Sequence, residues 1–348
     1  MPELRKDPVL GKWVVLSEAR GMRPSDFKED RPSAQAKRGP CAFCQGHELE
    51  TGAELFAFRE GSKVGAPDWR VRVVKNIYPA VSMESLASYD EPTERDEQDM
   101  SPFRGCRSPG TGSHEVVIET PLHDVKFTSL SLRNVEEILL CFRNRINHLR
   151  EDGHFKYIQV FKNQGKAAGA SMEHSHSQII ALPIIPHHVE LEIDNARSYF
   201  QREGRCIFCD IVRHDIADGS RLIDSSTEYA VLAPYAPKFP YETWIVPQTH
   251  ASNFEDIDDL QLQSLAKMLL TTVRKMERLF NDVPFNYMLH SSPVRDYCNI
   301  PFYHWTIRVV PHLLTLGGFE LGSGCHILPV YPEKSALQLR EIEVECPS

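Results

Sequence analysis

Two histidines and a glutamine at alternate positions form the most chemically distinctive stretch of the 348-residue sequence. His174, His176 and Gln178 follow a small-residue loop at residues 165–169 and precede an apolar run that ends at Pro183. Side chains alternate faces along a β-strand, so a strand here places all three on one face. Glycines upstream let backbone N–H groups approach an anion closely. The stretch therefore predicts a phosphate site with a histidine directed at phosphorus.

His176 is the candidate nucleophile of this site. An imidazole near neutral pH can attack phosphorus and form a covalent phosphoramidate. Gln178 could donate its amide to a nonbridging phosphate oxygen as charge develops, while Ser171 and the loop hold the same phosphate. Two other interpretations stay open: half-buried strands carry satisfied histidines, and Gln178 suits a solvated strand position.

Two sets of cysteines and histidines predict metal sites. Four of the nine cysteines form two C-x-x-C pairs, a pattern that in a cytosolic chain favours metal over disulfides. Two thiolates and two imidazoles suit tetrahedral zinc with no open position, which is a structural site. The alternative is buried thiols and core histidines. The first set is Cys41, Cys44, His123 and His174, and the second is Cys206, Cys209, His250 and His304.

The elements that position these residues occur twice in the same order. Each copy has a C-x-x-C pair, a strand that begins with Glu and has a histidine eight residues after that Glu, a long amphipathic helix, a second strand and a final histidine-containing strand. The strands at 115–118, 155–158 and 174–178 recur at 242–245, 285–288 and 304–308, offsets of 127 to 130 residues. The cysteine pairs are 165 residues apart. Five elements in one order predict a duplication.

The duplication separates two kinds of residue. The cysteines and metal-set histidines occur in both copies, whereas Thr306 stands where His176 stands in the first copy. We interpret the shared set as structural and the unshared His176 as functional.

The predicted fold class is α+β, with two pseudo-symmetric units that each combine an antiparallel sheet and a long helix. We place the units at residues 1–190 and 191–348. Ser131 is the expected cap of the first long helix, whose apolar residues recur at three- and four-residue steps to Leu149. The polar stretch at 84–113 is expected to be a mobile loop.

Composition narrows the function classes. Hydrophobic residues make up 41% and charged residues 25% of the chain, as in ordinary soluble globular proteins. The sequence contains no run of eighteen apolar residues, so we expect no membrane-spanning helix. The N-terminus lacks the apolar segment of a signal peptide, and we therefore expect a cytoplasmic protein. The net charge of −9 disfavours a nucleic-acid partner but allows a phosphorylated small molecule.

The histidine motif, the small-residue loop and the paired metal sets together resemble the galactose-1-phosphate uridylyltransferase family of the histidine triad superfamily, and most closely its plant-type ADP-glucose phosphorylase group. The resemblance covers nearly the whole chain. It implies double displacement: His176 takes a nucleoside monophosphate from a nucleotide sugar, and an acceptor phosphate removes it. Gln178 matches the glutamine that distinguishes these transferases from nucleotide hydrolases, which have a third histidine there. A non-catalytic zinc module would not need His176.

The resemblance also implies further binding residues and a substrate. Nucleotide or phosphate contacts are implied for Arg20, Asn76, Asn163, Gly165, Ser171 and Met172. Ser175 replaces the proline of the uridylyltransferases, and a glycine-rich segment replaces their hexose-binding pattern near the C-terminus. That segment is expected to approach the donor's sugar or phosphate through Gly317, Gly318, Phe319, Glu320, Gly322 and Gly324.

These departures favour inorganic phosphate as acceptor, and hence conversion of ADP-glucose and phosphate into ADP and glucose 1-phosphate. The alternative is transfer between UDP-glucose and galactose 1-phosphate. The resemblance further implies a homodimer, and it leaves iron open as the metal of one site.

Overall fold

The computed structural model describes residues 3–6, 13–16, 41–61, 63–84, 106–294 and 300–345, the first two ranges as backbone only. Within these ranges the chain forms thirteen strands and six helices. The strands are β1 (Glu3–Lys6), β2 (Trp13–Leu16), β3 (Glu54–Arg59), β4 (Trp69–Lys75), β5 (Arg107–Pro109), β6 (Ser113–Ile118), β7 (Tyr157–Gln164), β8 (His176–Leu182), β9 (Leu222–Ser225), β10 (Tyr229–Leu232), β11 (Thr243–Pro247), β12 (Phe285–His290) and β13 (Thr306–Pro311). The helices are α1 (Leu132–Arg150), α2 (His187–Glu203), α3 (Ile207–Asp218), α4 (Asp259–Phe280), α5 (Gly318–Ser323) and α6 (Pro332–Glu341).

Ten of the described strands build one antiparallel sheet with the order β3-β4-β6-β8-β7-β12-β13-β11-β10-β9. The first five come from the first copy of the repeat, and the last five are their counterparts in reversed order. The two copies join where β7 pairs with β12, with Phe161 opposite Met288. The predicted α+β class and antiparallel pairing are confirmed, and the duplication produces a single continuous sheet.

The two long helices follow from their sequence signals. Ser131 caps α1 by accepting a hydrogen bond from the Asn134 backbone N–H, as predicted. Asp258 and Gln261 form a reciprocal capping box at the start of α4. Apolar residues at three- and four-residue spacing then bury one face of each helix.

One hydrophobic core serves both copies. It contains Leu139 of α1, Leu269 of α4, and Val117, Ile179 and Ile307 from the strands between them, each at most 1% exposed. The long helices therefore cover one face of the sheet from end to end. Every second strand residue is directed at this face, and the residues between them are directed at the opposite face.

The opposite sheet face differs between the copies. In the second copy, residues of α2 and α3 pack on it, including Val189, Ile193 and Val212. In the first copy a smaller cluster of Trp69 and its neighbours on β4 and β6 packs with Phe43.

The polar stretch at 84–113 is only partly a loop. Residues 85–105 lie outside the described ranges, but Arg107–Pro109 forms β5 and pairs with β1. None of the helices in the described part of the chain combines the length and hydrophobicity needed to cross a bilayer.

Candidate active site and metal clusters

The two predicted Cys/His sets each converge on one point. In each set the four ligand atoms lie within 4.8 Å of one another. In the first, Cys44 Sγ is 3.5 Å from His123 Nδ1 and 3.7 Å from His174 Nδ1. Tetrahedral zinc, with bonds of about 2.3 Å to sulfur and 2.0–2.1 Å to nitrogen, places its S and N ligands about 3.5 Å apart. The spacing fits a closed four-ligand metal site.

The second set has the same dimensions. Cys209 Sγ lies 3.5 Å from His250 Nδ1 and 3.7 Å from His304 Nδ1, and Cys206 Sγ lies 3.7 Å from His304 Nδ1. Both sets can therefore hold a metal ion of the same kind.

Backbone carbonyls hold the histidine rings in the orientation that a metal needs. His174 Nε2 donates to the Thr120 carbonyl at 2.7 Å. At the corresponding place in the second copy, His304 Nε2 contacts the carbonyls of Pro247 and Thr249 at 3.1 and 3.2 Å. Because Nε2 carries the proton, the Nδ1 lone pair of each ring is directed at the sulfurs.

The local backbone differs between the cysteine pairs. Cys41 and Cys44 lie in consecutive turns, whereas Cys206 is the N-cap residue of α3. The larger offset of the cysteines also has a structural reason. The connection from β4 to β6 spans residues 76–112, but the one from β10 to β11 spans only 233–242. The first copy thus contains an insertion between its metal-binding elements.

His176 begins β8 on the face opposite the long helices. Its Nδ1 donates to the His174 carbonyl at 2.8 Å, which leaves the Nε2 lone pair available. The Phe43 ring packs edge-on against it with ring centroids 5.5 Å apart. Burial lowers the pKa of His176 to about 4, and the charge of Lys162 contributes to the shift. The imidazole is therefore uncharged at neutral pH, the form that acts as a nucleophile.

Gln178 lies two residues farther along the same face and is 7% exposed. Its Oε1 is 2.9 Å from Nε2 of His114, a buried residue of β6. The same ring nitrogen is 3.1 Å from Nδ2 of Asn76. Two of the predicted substrate-facing amides thus meet at one histidine that the sequence patterns did not single out.

The predicted phosphate loop is held from the second copy of the repeat. Gly165 and Gly169, both with φ of +82°, bracket a 3-10 turn. A Cβ on Gly165 would lie 2.8 Å from Pro284 Cβ, so only glycine fits there. Asn286 Nδ2 donates to the Ala168 carbonyl at 2.9 Å.

Asn163, at the end of β7, belongs to the same arrangement. Asn286 Nδ2 also donates to Asn163 Oδ1 at 2.8 Å, and Asn286 Oδ1 accepts from His312, which follows β13. A cavity of about 670 Å³ opens beside the loop, lined in part by residues 164–166 and 169–173, which include Ser171 and Met172.

A buried ion pair lies directly beneath the His176 strand. Lys162 Nζ contacts Glu119 Oε2 at 2.5 Å, and both side chains are at most 1% exposed. Lys162 also donates to the Ser175 hydroxyl at 3.0 Å and to the His176 carbonyl at 3.2 Å. Burial would raise the pKa of Glu119, but Lys162 and the hydroxyls of Ser175 and Ser177 lower it below its usual value.

The second copy contains no equivalent nucleophile within its described residues. Thr306 and Arg308 occupy the positions of His176 and Gln178. Arg308 donates to Glu192 of α2 at 2.6 Å and to the Thr306 hydroxyl at 3.1 Å, and its guanidinium lies 4.3 Å from the Trp244 ring centroid. An ion pair thus occupies the place of the reactive face.

Two family models match consecutive parts of the chain. The galactose-1-phosphate uridyl transferase N-terminal domain matches residues 1–186, and the C-terminal domain of the same family matches residues 192–342. The chain belongs to this family. The resemblance inferred from the histidine motif and the metal sets is confirmed.

Relatives within the family extend over nearly the whole chain. ADP-glucose phosphorylase of Arabidopsis thaliana is 38% identical over 99% of this chain and 93% of its own length. Galactose-1-phosphate uridylyltransferase of Thermotoga maritima is 28% identical over 99% of this chain and 100% of its own. The crystal structure of the Arabidopsis phosphorylase with bound ADP-glucose has a TM-score of 0.76 and 37% identity, covering 99% of this chain and all of that one.

Some residues implied by the family resemblance lie away from this arrangement. Arg20 lies outside the described residues. The segment 317–324 forms α5 on the surface, where Phe319 is 57% exposed. In the described part of the chain, the hydrogen bonds of this segment stay within residues 317–325.

Sequence reasoning missed three polar residues of this family member: His114, Glu119 and Lys162. Each lies in or next to a strand that contributes residues to the core, and burial below 5% could not be read from the sequence. One signal was available, because Lys162 follows Ile158 and Val160 at alternate positions of the strand Tyr157–Gln164, and those two side chains belong to the core.

Proposed function

We propose that this protein is a nucleotidyltransferase that converts ADP-glucose and phosphate into ADP and glucose 1-phosphate through a nucleotidyl-His176 intermediate. The observation that carries the proposal is the state of His176: an uncharged ring with its Nδ1 proton bound to a carbonyl and its Nε2 lone pair available. The high identity to an ADP-glucose phosphorylase supports the choice of donor.

In the first step, the Nε2 lone pair of His176 attacks the α-phosphorus of ADP-glucose. A P–N bond forms while the bond from this phosphorus to the bridging oxygen breaks, and the electron pair leaves with glucose 1-phosphate. The His174 carbonyl, which accepts from Nδ1–H, stabilises the positive charge that the ring acquires. Gln178 donates its amide to a nonbridging oxygen of the same phosphorus.

In the second step, an oxygen of inorganic phosphate attacks the nucleotidyl phosphorus. The P–N bond breaks, its electrons return to Nε2, and ADP is released. Neither step requires an added acid or base. The loop at 165–169 and Ser171 supply backbone and hydroxyl donors for the phosphates, and Asn76, Asn163, Met172 and Arg20 are proposed nucleotide contacts.

We propose zinc in both Cys/His sets, with iron as the alternative in one of them. The ligand distances and the carbonyl-bound Nε2 atoms support Cys₂His₂ sites with no open position, whose contribution is structural. The first site fixes His174, two residues before the nucleophile, and therefore the start of β8.

The remaining proposals rest on the family resemblance. The chain consists of two units, at residues 1–190 and 191–348, and two copies of the chain form a homodimer in the cytoplasm. The substrates are small-molecule nucleotide sugars and phosphates, and nucleic acids and membranes are not partners. Residues 317–324, including the exposed Phe319, approach the donor's sugar or phosphate. Sedimentation analysis tests the dimer, and substitution of Phe319 by Ala tests the segment through the KM for ADP-glucose.

Intact-protein mass spectrometry tests the reaction directly. The protein is mixed separately with ADP-glucose and UDP-glucose, without acceptor. We expect a mass gain of one AMP with ADP-glucose, and its loss when phosphate is added.

A UMP adduct that galactose 1-phosphate discharges would instead identify a uridylyltransferase, the activity named for the Thermotoga relative. The absence of an adduct with both donors would contradict the proposed donor. An adduct that persists in a His176→Asn variant would contradict the proposed nucleophile.

A further inference from the structure

The side-chain amide of Gln178 has two chemically different ends. Its NH₂ group can donate to a phosphate oxygen, whereas its carbonyl oxygen would repel one. The proposed role in catalysis therefore requires that something fixes which end is directed at the substrate. The relevant neighbour is His114 on β6, the strand that pairs with β8 with Val116 opposite Gln178.

The hydrogen bonds of His114 determine where its proton lies. The backbone N–H of Ala80 donates to His114 Nδ1 at 3.0 Å. A backbone N–H is always a donor, so Nδ1 must carry a lone pair. A neutral imidazole then carries its hydrogen on Nε2, which makes Nε2 a donor. His114 is 4% exposed, so the surrounding protein fixes this arrangement.

The position of that donor determines the orientation of Gln178. His114 Nε2 is 2.9 Å from the Gln178 atom assigned as Oε1, and a donor requires the carbonyl oxygen there. The NH₂ end of the amide is consequently left for another acceptor. Gln178 and His176 lie on the same face of β8 at alternate positions, so this NH₂ is on the side of the nucleophile.

Asn76 lies against the same ring. The Tyr78 backbone N–H donates to Asn76 Oδ1 at 2.8 Å, which identifies the oxygen end, and Asn76 Nδ2 lies 3.1 Å from His114 Nε2. Two N–H groups cannot hydrogen-bond to each other, so the Nε2 proton of His114 is donated to Gln178 and not to Asn76. Of the two amides at this ring, His114 therefore orients only that of Gln178.

We propose that His114 is a positioning residue that orients the Gln178 amide so that its NH₂ group is directed at the phosphate of the nucleotide. The second copy of the repeat differs at both positions. By strand pairing, Glu242 occupies the place of His114, and Arg308, whose guanidinium has no acceptor end and needs no such orientation, occupies the place of Gln178.

The inference rests on the proposed function, in which Gln178 donates to phosphate. The test compares two replacements of His114 that preserve different ends of the ring. His114→Gln can retain an N–H donor near the Nε2 position, whereas His114→Asn can retain only the acceptor for Ala80. His148→Asn, on the exposed surface of α1, is the matched control.

The measured quantity is the rate at which His176 is adenylylated at saturating ADP-glucose, followed by rapid quench and mass spectrometry. Loss of one hydrogen-bond donor to a developing oxyanion lowers the rate by about 10²–10³-fold, and misorientation of the same donor lowers the rate by at most that factor. We expect a loss of about 10- to 100-fold for His114→Asn, with substantial recovery in His114→Gln and no change in His148→Asn. The KM for ADP-glucose should change less than the rate.

A double-variant cycle separates failure of this inference from failure of the proposed function. If Gln178→Ala leaves the rate unchanged, the proposed role of Gln178 fails. If Gln178→Ala is slow and His114→Asn lowers the rate further by its full factor in the double variant, the positioning role is overturned. We expect the double variant to be as slow as Gln178→Ala alone.

A measurement on the unmodified protein keeps the inference testable if the His114 variants do not fold. Nitrogen-15 NMR of histidine-labelled protein distinguishes the two neutral tautomers and the imidazolium. We expect the Nε2–H tautomer for His114 at neutral pH. An Nδ1–H tautomer or a charged ring would overturn the proposal.

Discussion

Strands β8 and β13 occupy equivalent places in the two copies of the repeat, yet their surroundings differ on both faces. On the face away from the long helices, β8 presents His176 and Gln178, whereas Arg308 of β13 is paired with Glu192. On the face toward the long helices, Ser175 and Ser177 contact a buried ion pair. The corresponding positions of the second copy are the core residues Trp305 and Ile307.

The difference on the face toward the long helices is informative because a buried ion pair contributes little to the stability of a fold. Desolvation of two charges often costs more than their attraction returns, and an apolar core of similar volume is frequently more stable. The second copy shows that this fold accommodates the apolar version: by strand pairing, Leu289 stands in the place of Lys162 and Pro247 in the place of Glu119, and both are buried. The presence of Lys162 and Glu119 beneath His176 therefore indicates that this ion pair positions the strand that contains His176.

The largest expected effect comes from the nucleophile itself. We expect His176→Asn to lower turnover by about 10⁴-fold or more, as removal of a covalent nucleophile does, while fold and metal content stay intact. Steady-state kinetics and metal analysis measure both. Thr306→Val, at the equivalent position of the second copy, should retain wild-type turnover. Loss of metal or of folding in His176→Asn would contradict the assigned role.

The second largest effect is expected from loss of the buried ion pair between Lys162 and Glu119. Lys162→Met leaves the Glu119 charge without its partner and should lower the free energy of unfolding by about 3–5 kcal/mol, measured in urea on the metal-loaded protein. Lys126→Met is the matched control, because its pair with Asp282 is exposed and should be worth at most about 1 kcal/mol.

A second variant sharpens this prediction. Glu119→Gln combined with Lys162→Met removes both charges and should recover part of the lost stability. If the double variant is less stable than Lys162→Met alone, then an unpaired charge is not the cause of the destabilisation.

The two copies share the Cys/His sets, and the second set is the proposed metal site of the second copy. We expect His304→Ala to reduce bound metal from two ions per chain to one. The protein should lose about 3 kcal/mol of metal-linked stability where free metal is roughly a hundred times the Kd. Elemental analysis and thermal unfolding test this, with the exposed His214→Ala as control. Unchanged metal content would argue against the second site.

The smallest effect concerns a residue of the second copy that serves the first. Asn286→Ala removes the donor to the Ala168 carbonyl and to Asn163, contacts worth about 1–2 kcal/mol together. We expect the KM for ADP-glucose to rise about tenfold, with His176 still adenylylated. An unchanged KM would show that the loop keeps its conformation without support from β12.

Sequence patterns predicted the features that depend on spacing along the chain. The repeat, both long helices and both metal sets follow from periodicity and ligand types, since these signals are local or occur twice. The placement of His176 and Gln178 on one face of β8 was predicted for the same reason, because side chains alternate along a strand.

Features that depend on how distant strands meet were not predictable in this way. His114 contacts Gln178 only because β6 pairs with β8, at a separation of 64 residues. Asn286 reaches the phosphate loop only because the two sheets fuse into one. The strand β5 was missed because its partner β1 lies about a hundred residues away at the start of the chain.

The pairing of β7 with β12 has a consequence for how the chain folds. Phe161 and Met288 are neighbours across this seam although 127 residues separate them, so the seam closes only after both copies have largely formed. Until then β7 and β12 are open edges with unpaired backbone groups. An unfinished chain can therefore pair with another copy through the same edges, and exchange of halves between chains is the misassembly that this architecture most invites.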